Sequence, residues 1–406
     1  MNSTTPELDR FDVVSPAARS KIHAVYREMR RAGPIHRVTD PFSGAPAWLV
    51  LTHEGANRVL RDTDGFIRDA SSLMSDEQRT AAPPLPPAAL ALVGLTHKDP
   101  PEHTRLRALV QKSFTPRRVD GLRARSRLLA RRLLDAIDGE DEFDLLAAFA
   151  FPLPILIILE LLGLPGEDYA RFRGWSEALV GDDIPRKLEV AGIVRAYLDP
   201  VIDRRARTPS DDLLSGLVHA RTSDGERLSR DELHAMVIVL LVAGHESTVS
   251  LIANGALALL THPEQRARLL ADPSLMRPAI EEMLRFDGPI DFSFVRYASA
   301  ATELCGASIE RGQRVFVSLL AANRDPDVFD APDRFDIGRQ ARGHIAFGVG
   351  IHACVGAPLA RLEGAEALLE LSRRRPGLEL AIPAEAVAWR PSRLIHSPRV
   401  LPVRGR

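Results

Sequence analysis

Cys354 sits at the crest of a glycine-rich run, Phe347-Gly348-Val349-Gly350-Ile351-His352-Ala353-Cys354-Val355-Gly356. Glycines so closely spaced let backbone approach a bound group or take positive φ. From Ala357 to Leu371 the pattern reads as a helix, which places the thiol just ahead of a helix N-terminus. There the helix dipole and the free amides of the loop stabilise a thiolate. Zinc needs more ligands than His352 and Cys354 together supply, and their spacing is unlike usual zinc sites. One thiolate in an open, glycine-lined loop suits a planar metal cofactor held at one axial position. The other cysteine, Cys305, reads as a small buried apolar residue.

A second cluster, Gly244-His245-Glu246-Ser247-Thr248, interrupts the apolar run Met236 to Ala243. A glycine inside a helix costs roughly 1 kcal/mol against alanine, and a buried acid costs more unless it is partnered. Rules broken together at one place mark a functional site. A zinc-protease motif would need a second histidine four residues after the first, and position 249 is Val249. The structural alternative is a helix bent at Gly244 with Glu246 paired to an arginine.

The elements that carry these clusters are mostly helical. Apolar residues recur at helical spacing over Leu122 to Ile137, Glu189 to Ile202 and Pro263 to Ala271. The longest helix is predicted from Arg230 to Leu260, opened by Ser229 with Glu232 as a capping box, and it must pass through the interior. Strand-like runs are short: Ala47 to Thr52, Arg314 to Leu319 and Arg399 to Val403. The most apolar stretch, Leu145 to Leu164, is broken by Pro152, Pro154 and Glu160, so it reads as a buried core helix and not a membrane span. Met1 to Pro16 is polar, without the apolar core of a secretory signal, and residues 1–10 are expected to be disordered. A soluble, cytoplasmic protein follows as the expectation. With 406 residues, 45% hydrophobic and 26% charged, the composition is that of a globular protein. A net charge of −1 argues against a nucleic-acid surface, and two cysteines exclude a disulfide scaffold. No linker or repeat divides the chain, so one mainly helical domain over 1–406 with small peripheral sheets is expected.

The run FGVGIHACVG with Ala357-Pro358-Leu359-Ala360-Arg361 resembles the haem-binding loop of the cytochrome P450 family in its soluble bacterial form. Other segments follow in the family's order along nearly the whole chain. Asp99 to Arg107 resembles the start of the family's third helix, and Ala243-Gly244-His245-Glu246 its oxygen-binding stretch. Glu282-Met283-Leu284-Arg285 resembles its Glu-x-x-Arg motif, and Phe335 to Arg339 the segment that completes an ion-pair triad of Glu282, Arg285 and Arg339.

The resemblance implies the family's triangular, mainly α fold and haem b, with Cys354 as the proximal thiolate and metal ligand. It implies His103, Arg107, Arg296 and His352 against the anionic propionates, Phe347 shielding the sulfur, and the triad holding the loop in shape. His344 is expected to order backbone. The family usually places a threonine directly after the acid, where this chain has Ser247. A one-residue shift turns a helical side chain by about 100°, so Thr248 should point elsewhere. Ser247 is then expected to relay protons fed by Glu246. The substrate pocket would include Ala243, Pro289, Ile290, Phe292 and Ile395, with Ile290, Phe292 and Phe294 alternating along one strand.

The implied activity is monooxygenation of a lipophilic small molecule by O2, as hydroxylation or epoxidation. Electrons would come from a separate ferredoxin or flavodoxin with its reductase, docking near Lys112, Arg117 and Arg118. Two alternatives are a haem-thiolate enzyme of another type (peroxide-driven oxidation, isomerisation or dehydration) and a non-catalytic haem sensor. Both leave the Glu246 and Ser247 pair without a purpose.

Overall fold

The computed structural model describes residues 11–40, 43–181, 183–392 and 394–405; the expected disorder of residues 1–10 lies outside them. Its centre is the helix Arg230–Thr261. Ser229 Oγ accepts from the Glu232 amide at 3.2 Å and Glu232 Oε2 from the Ser229 amide at 2.7 Å, so the expected capping box starts it. By length and apolar composition this helix could cross a membrane, yet 72% of its most apolar window is buried within the fold. It packs against Pro152–Leu161 and Ala357–Arg374.

Pro152–Leu161 is the core helix read from the apolar stretch. Seven of its ten residues are buried, including Leu153, Ile155, Ile157, Ile158 and Leu159. At roughly 1.5–3 kcal/mol for each fully buried aliphatic side chain, such a helix holds by burial rather than amphipathic patterning. The Leu122 to Ile137 pattern becomes Arg123–Ala136, Glu189 to Ile202 lies within Ile184–Arg207, and Pro263–Ala271 keeps its bounds.

The sheets are small and peripheral. Five strands run in the order Ile35–Thr39, Pro46–Val50, Arg314–Val317, Arg296–Ala298, Phe66–Ile67. Pro46–Val50 and Arg314–Val317 pair in parallel, with Trp48 opposite Val315; the other pairs are antiparallel. A second sheet joins Glu142–Asp144, Pro402–Arg404 and Glu379–Leu380, and a hairpin joins Thr302–Leu304 to Ala307–Ile309. Cys305 departs from expectation. It is half-buried, at the hairpin corner with φ +51°, followed by Gly306 at +79°. Two positive φ values suit a tight hairpin turn, and from that corner the side chain still packs against the cluster of Val50, Val59 and Leu304.

Candidate active site

The cysteine loop is a folded scaffold for one thiol. Gly348 and Gly350 have φ of +66° and +77°. A Cβ on Gly350 would lie 2.5 Å from the Leu60 carbonyl oxygen, so only glycine fits there. The Cys354 amide donates to the Phe347 carbonyl at 2.9 Å, and Asn323 Oδ1 accepts from the Ile345 amide at 2.7 Å. Ala357–Arg374 starts three residues after Cys354, as expected. The thiol keeps accessible surface although protein closely surrounds it. That enclosure pushes the thiol up; the amides of Gly356 and Ala357 and the guanidiniums of Arg107 and Arg361 pull it back. Phe347 is half-buried beside the loop, 4.5 Å from the Arg361 guanidinium.

The structure brings the expected propionate residues together. The rings of His103 and His352 lie 4.3 Å apart, and the buried Nε2 of each has no hydrogen-bond partner among the described residues. Arg296 is 2% exposed, with Nη1 3.4 Å from the Phe66 carbonyl. Burial lowers it to about 10. Arg107, half-buried, stands close enough to Cys354 for each to act on the other's ionisation. Burial, then Arg296, His103, Arg68 and Arg107, press His352 down to about 2. Asp99 is the nearby acid, and its oxygens accept from the Arg68 and Asp69 amides. Unpartnered imidazole nitrogens among buried guanidiniums form a cradle for an anion. The sequence reading missed Arg68, which is 6% exposed and held by the Thr96 and Val295 carbonyls.

On the central helix, Ala243 and Ser247 share an accessible face, with Ser247 Oγ donating to the Ala243 carbonyl at 2.7 Å. Thr248 is 2% exposed and donates to the Gly244 carbonyl, so the serine and not the threonine opens on that face. Glu246 is 1% exposed, its Oε2 2.8 Å from Arg390 Nη1. The arginine partner expected in the structural alternative therefore exists, one residue from the accessible serine.

The triad also has the expected geometry. Arg285 Nε lies 2.7 Å and Arg339 Nε 3.2 Å from Glu282 carboxylate oxygens, and Arg285 further donates to the carbonyls of Asn323 and Pro332. These bonds fix the chain leading into the cysteine loop. His344 orders that chain by bonding Glu281 at 2.9 Å and accepting the Ala346 amide at 3.2 Å.

The pocket wall needs correction. Ala243 and Ile290 keep accessible surface, but Phe292 is 2% exposed and packs in a cluster with Phe316, Leu320 and Met29 of the helix Ile22–Ala32. The segment is held by isolated bridges, Ile290 to Ile395 and Phe292 to Ser318, and not by a regular strand. Alternation therefore does not keep these side chains on one face. Phe294 is 49% exposed, with Arg68 over its ring. Pro289 and Ile395 are buried. In the expected basic trio, Lys112 donates to the Arg221 carbonyl and Arg118 to Asp211, while Arg117 is exposed.

Comparison with known proteins decides what this arrangement is. The Cytochrome P450 family model matches residues 172–371. Cytochrome P450 monooxygenase PikC of Streptomyces venezuelae is 43% identical, over 95% of this chain and 91% of its own length.

The chain belongs to the cytochrome P450 family.

The Vitamin D(3) 25-hydroxylase of Pseudonocardia autotrophica is 40% identical, covering 99% of this chain and 98% of its own. The structure of myxobacterial cytochrome P450 CYP267B1 in complex with myristic acid superposes with a TM-score of 0.89 at 43% identity, covering 97% of this chain and 98% of that one. The fold is thus the P450 fold and the enzyme class cytochrome P450 monooxygenase, an oxidoreductase. Membership implies a haem-thiolate centre, and the cradle of His103 and His352, whose Nε2 atoms are unpartnered among the described residues, beside an accessible Cys354 fits such a group.

Proposed function

We propose that this cytochrome P450, a single catalytic domain, inserts one oxygen atom from O2 into a lipophilic small molecule by hydroxylation or epoxidation. Haem b is held by Cys354, with its propionates against His103, Arg107, Arg296 and His352. Electrons come from a separate ferredoxin or flavodoxin with its reductase. The observation that carries this reading is the accessible Cys354, with the Gly356 and Ala357 amides aimed at it, beside a cationic cradle in which the Nε2 atoms of His103 and His352 have no hydrogen-bond partner among the described residues.

When bound, haem supplies the redox-active iron at which dioxygen is activated. The chain's own residues do the rest. The Gly356 and Ala357 amides stabilise negative charge on Cys354 Sγ. Each insertion consumes two protons, since the second oxygen leaves as water. Ser247 Oγ is the hydroxyl on the accessible helix face, and the neighbouring Glu246 is the acid that can replenish its proton.

Relatives named for a vitamin D and solved with a fatty acid support a lipophilic substrate. The test is a screen of fatty acids, sterols and macrolides for a spin-state shift. Turnover with a surrogate ferredoxin, its reductase and labelled dioxygen then follows. One labelled oxygen in the product is expected. Product formed with peroxide but never with O2 and reductant would replace this reading with the peroxide-driven one.

A further inference from the structure

We propose that His245 is the proton partner of Glu246: the two side chains share one exchangeable proton between Nε2 and Oε1, and His245 holds it while Glu246 remains paired with Arg390. The proposal rests on the reading above, in which Glu246 feeds Ser247.

The geometry is specific. The His245 side chain is fully buried in the middle of the central helix. Its Nδ1 lies 3.2 Å from the Leu241 carbonyl and 3.3 Å from Ser176 Oγ. A carbonyl only accepts, so Nδ1 keeps its hydrogen and Nε2 is the nitrogen whose proton can come and go. Phe151 packs edge-on at 5.1 Å and holds the ring in place. Nε2 lies 3.6 Å from Glu246 Oε1. Both atoms are buried, and neither has a hydrogen-bond partner among the described residues. Two facing acceptors are an unfavourable arrangement that a single proton between them resolves.

Charges around the pair set where that proton rests. Arg390 Nη1 binds the other carboxylate oxygen, so Oε1 is the oxygen left to face the imidazole. From the packed helix Tyr169–Val180, Glu177 acts on the ring in the same sense as Glu246, while Arg390 opposes them. Burial lowers His245 overall, so the proton is loosely held. That suits a group that must give it up.

The transfer balances. The proton on His245 Nε2 moves to Glu246 Oε1 and leaves neutral imidazole with its Nδ1 hydrogen on Leu241; Glu246 then gives one proton toward Ser247 and returns to the carboxylate. Solvent returns one proton at the edge of Arg390, whose side chain is 27% exposed. No electrons move.

The test measures peroxide released per NAD(P)H consumed, with the compound giving the largest spin-state shift as substrate. His245→Gln and His245→Leu are compared in the wild-type and Glu246→Gln backgrounds. Gln donates a hydrogen bond to Oε1 but passes no proton, and Leu preserves bulk. Both are expected to raise peroxide release about threefold or more in the wild-type background, the low end of an acid–base contribution. Neither is expected to raise it further in the Glu246→Gln background. Additive effects in the two backgrounds, full rescue by Gln, or no effect of either variant while Glu246→Gln uncouples the enzyme would each overturn the proposal alone. Normal coupling in Glu246→Gln would overturn the relay reading and this proposal with it. A second readout is nitrogen NMR of the histidine-labelled ferrous carbon monoxide form: the His245 Nε2 signal should move in Glu246→Gln, and an unchanged signal contradicts a shared proton.

Discussion

Glu246 and Arg390, 144 positions apart in the sequence, meet at 2.8 Å between Oε2 and Nη1. The acid is 1% exposed and the guanidinium 27%, so the pair is buried on one side and wet on the other. Removing one partner of a fully buried pair costs about 3–5 kcal/mol. Partial exposure of Arg390 reduces this to roughly 1–3 kcal/mol for Arg390→Gln. Glu246→Gln with Arg390→Gln should recover part of that loss, because the stranded charge is gone. Thermal melts of the four proteins in this cycle check it.

Ser247→Ala should divert reducing equivalents to peroxide more than Thr248→Ala does. Ser247 Oγ lies on the accessible face with Ala243, whereas Thr248 is buried and bonded back to Gly244. Equal coupling in the two variants would remove the assignment of the relay hydroxyl to Ser247.

The cationic cradle should control how firmly haem is retained. Charge-assisted hydrogen bonds contribute about 1.5–3 kcal/mol each. Arg296→Met and His352→Leu should therefore each lose haem to a competing apoprotein roughly ten- to a hundredfold faster. The carbon monoxide spectrum of the haem that remains should be unchanged, because Cys354 is untouched.

Stability should fall on acidification in two stages. Burial and then the Arg324 charge lower His23 to about 4. Its ordinary value is near 6.5, so between those values the unfolded chain binds a proton that the folded chain does not. Folding stability is thus full above about pH 7 and declines toward pH 4, by roughly 2–3 kcal/mol from this residue. Burial pushes Asp287 up, but His396 and His23 outweigh it and hold the carboxyl well below its usual range. Its contribution is present above the unfolded value near 4 and is lost below it. Chemical denaturation across this range should show both limbs, and His23→Asn should flatten the upper one.

What could be read in the sequence was local. The capping box at Ser229, the glycines around Cys354 and the run Ile155 to Leu159 each show within a few residues why the backbone must do what it does. The side of the helix that Ser247 occupies also followed, because helical rotation is fixed. The partner of Glu246 did not, since nothing near Arg390 in the sequence marks it as the arginine that comes to rest there. Phe292 was misplaced for a related reason. Alternation assigns faces only along a regular strand, and residues 289–294 bend between two isolated bridges. Arg68 escaped notice because an arginine bound to carbonyls is invisible until the Thr96 and Val295 segments are folded beside it.

The central claim is that Cys354 binds haem as a thiolate, and the carbon monoxide difference spectrum of the dithionite-reduced protein tests it most directly. The predicted result is a Soret band at the long-wavelength position that gives the family its name, absent in Cys354→Ala. Well-folded protein without haem, or a band at the shorter wavelength of a neutral proximal ligand, would contradict it.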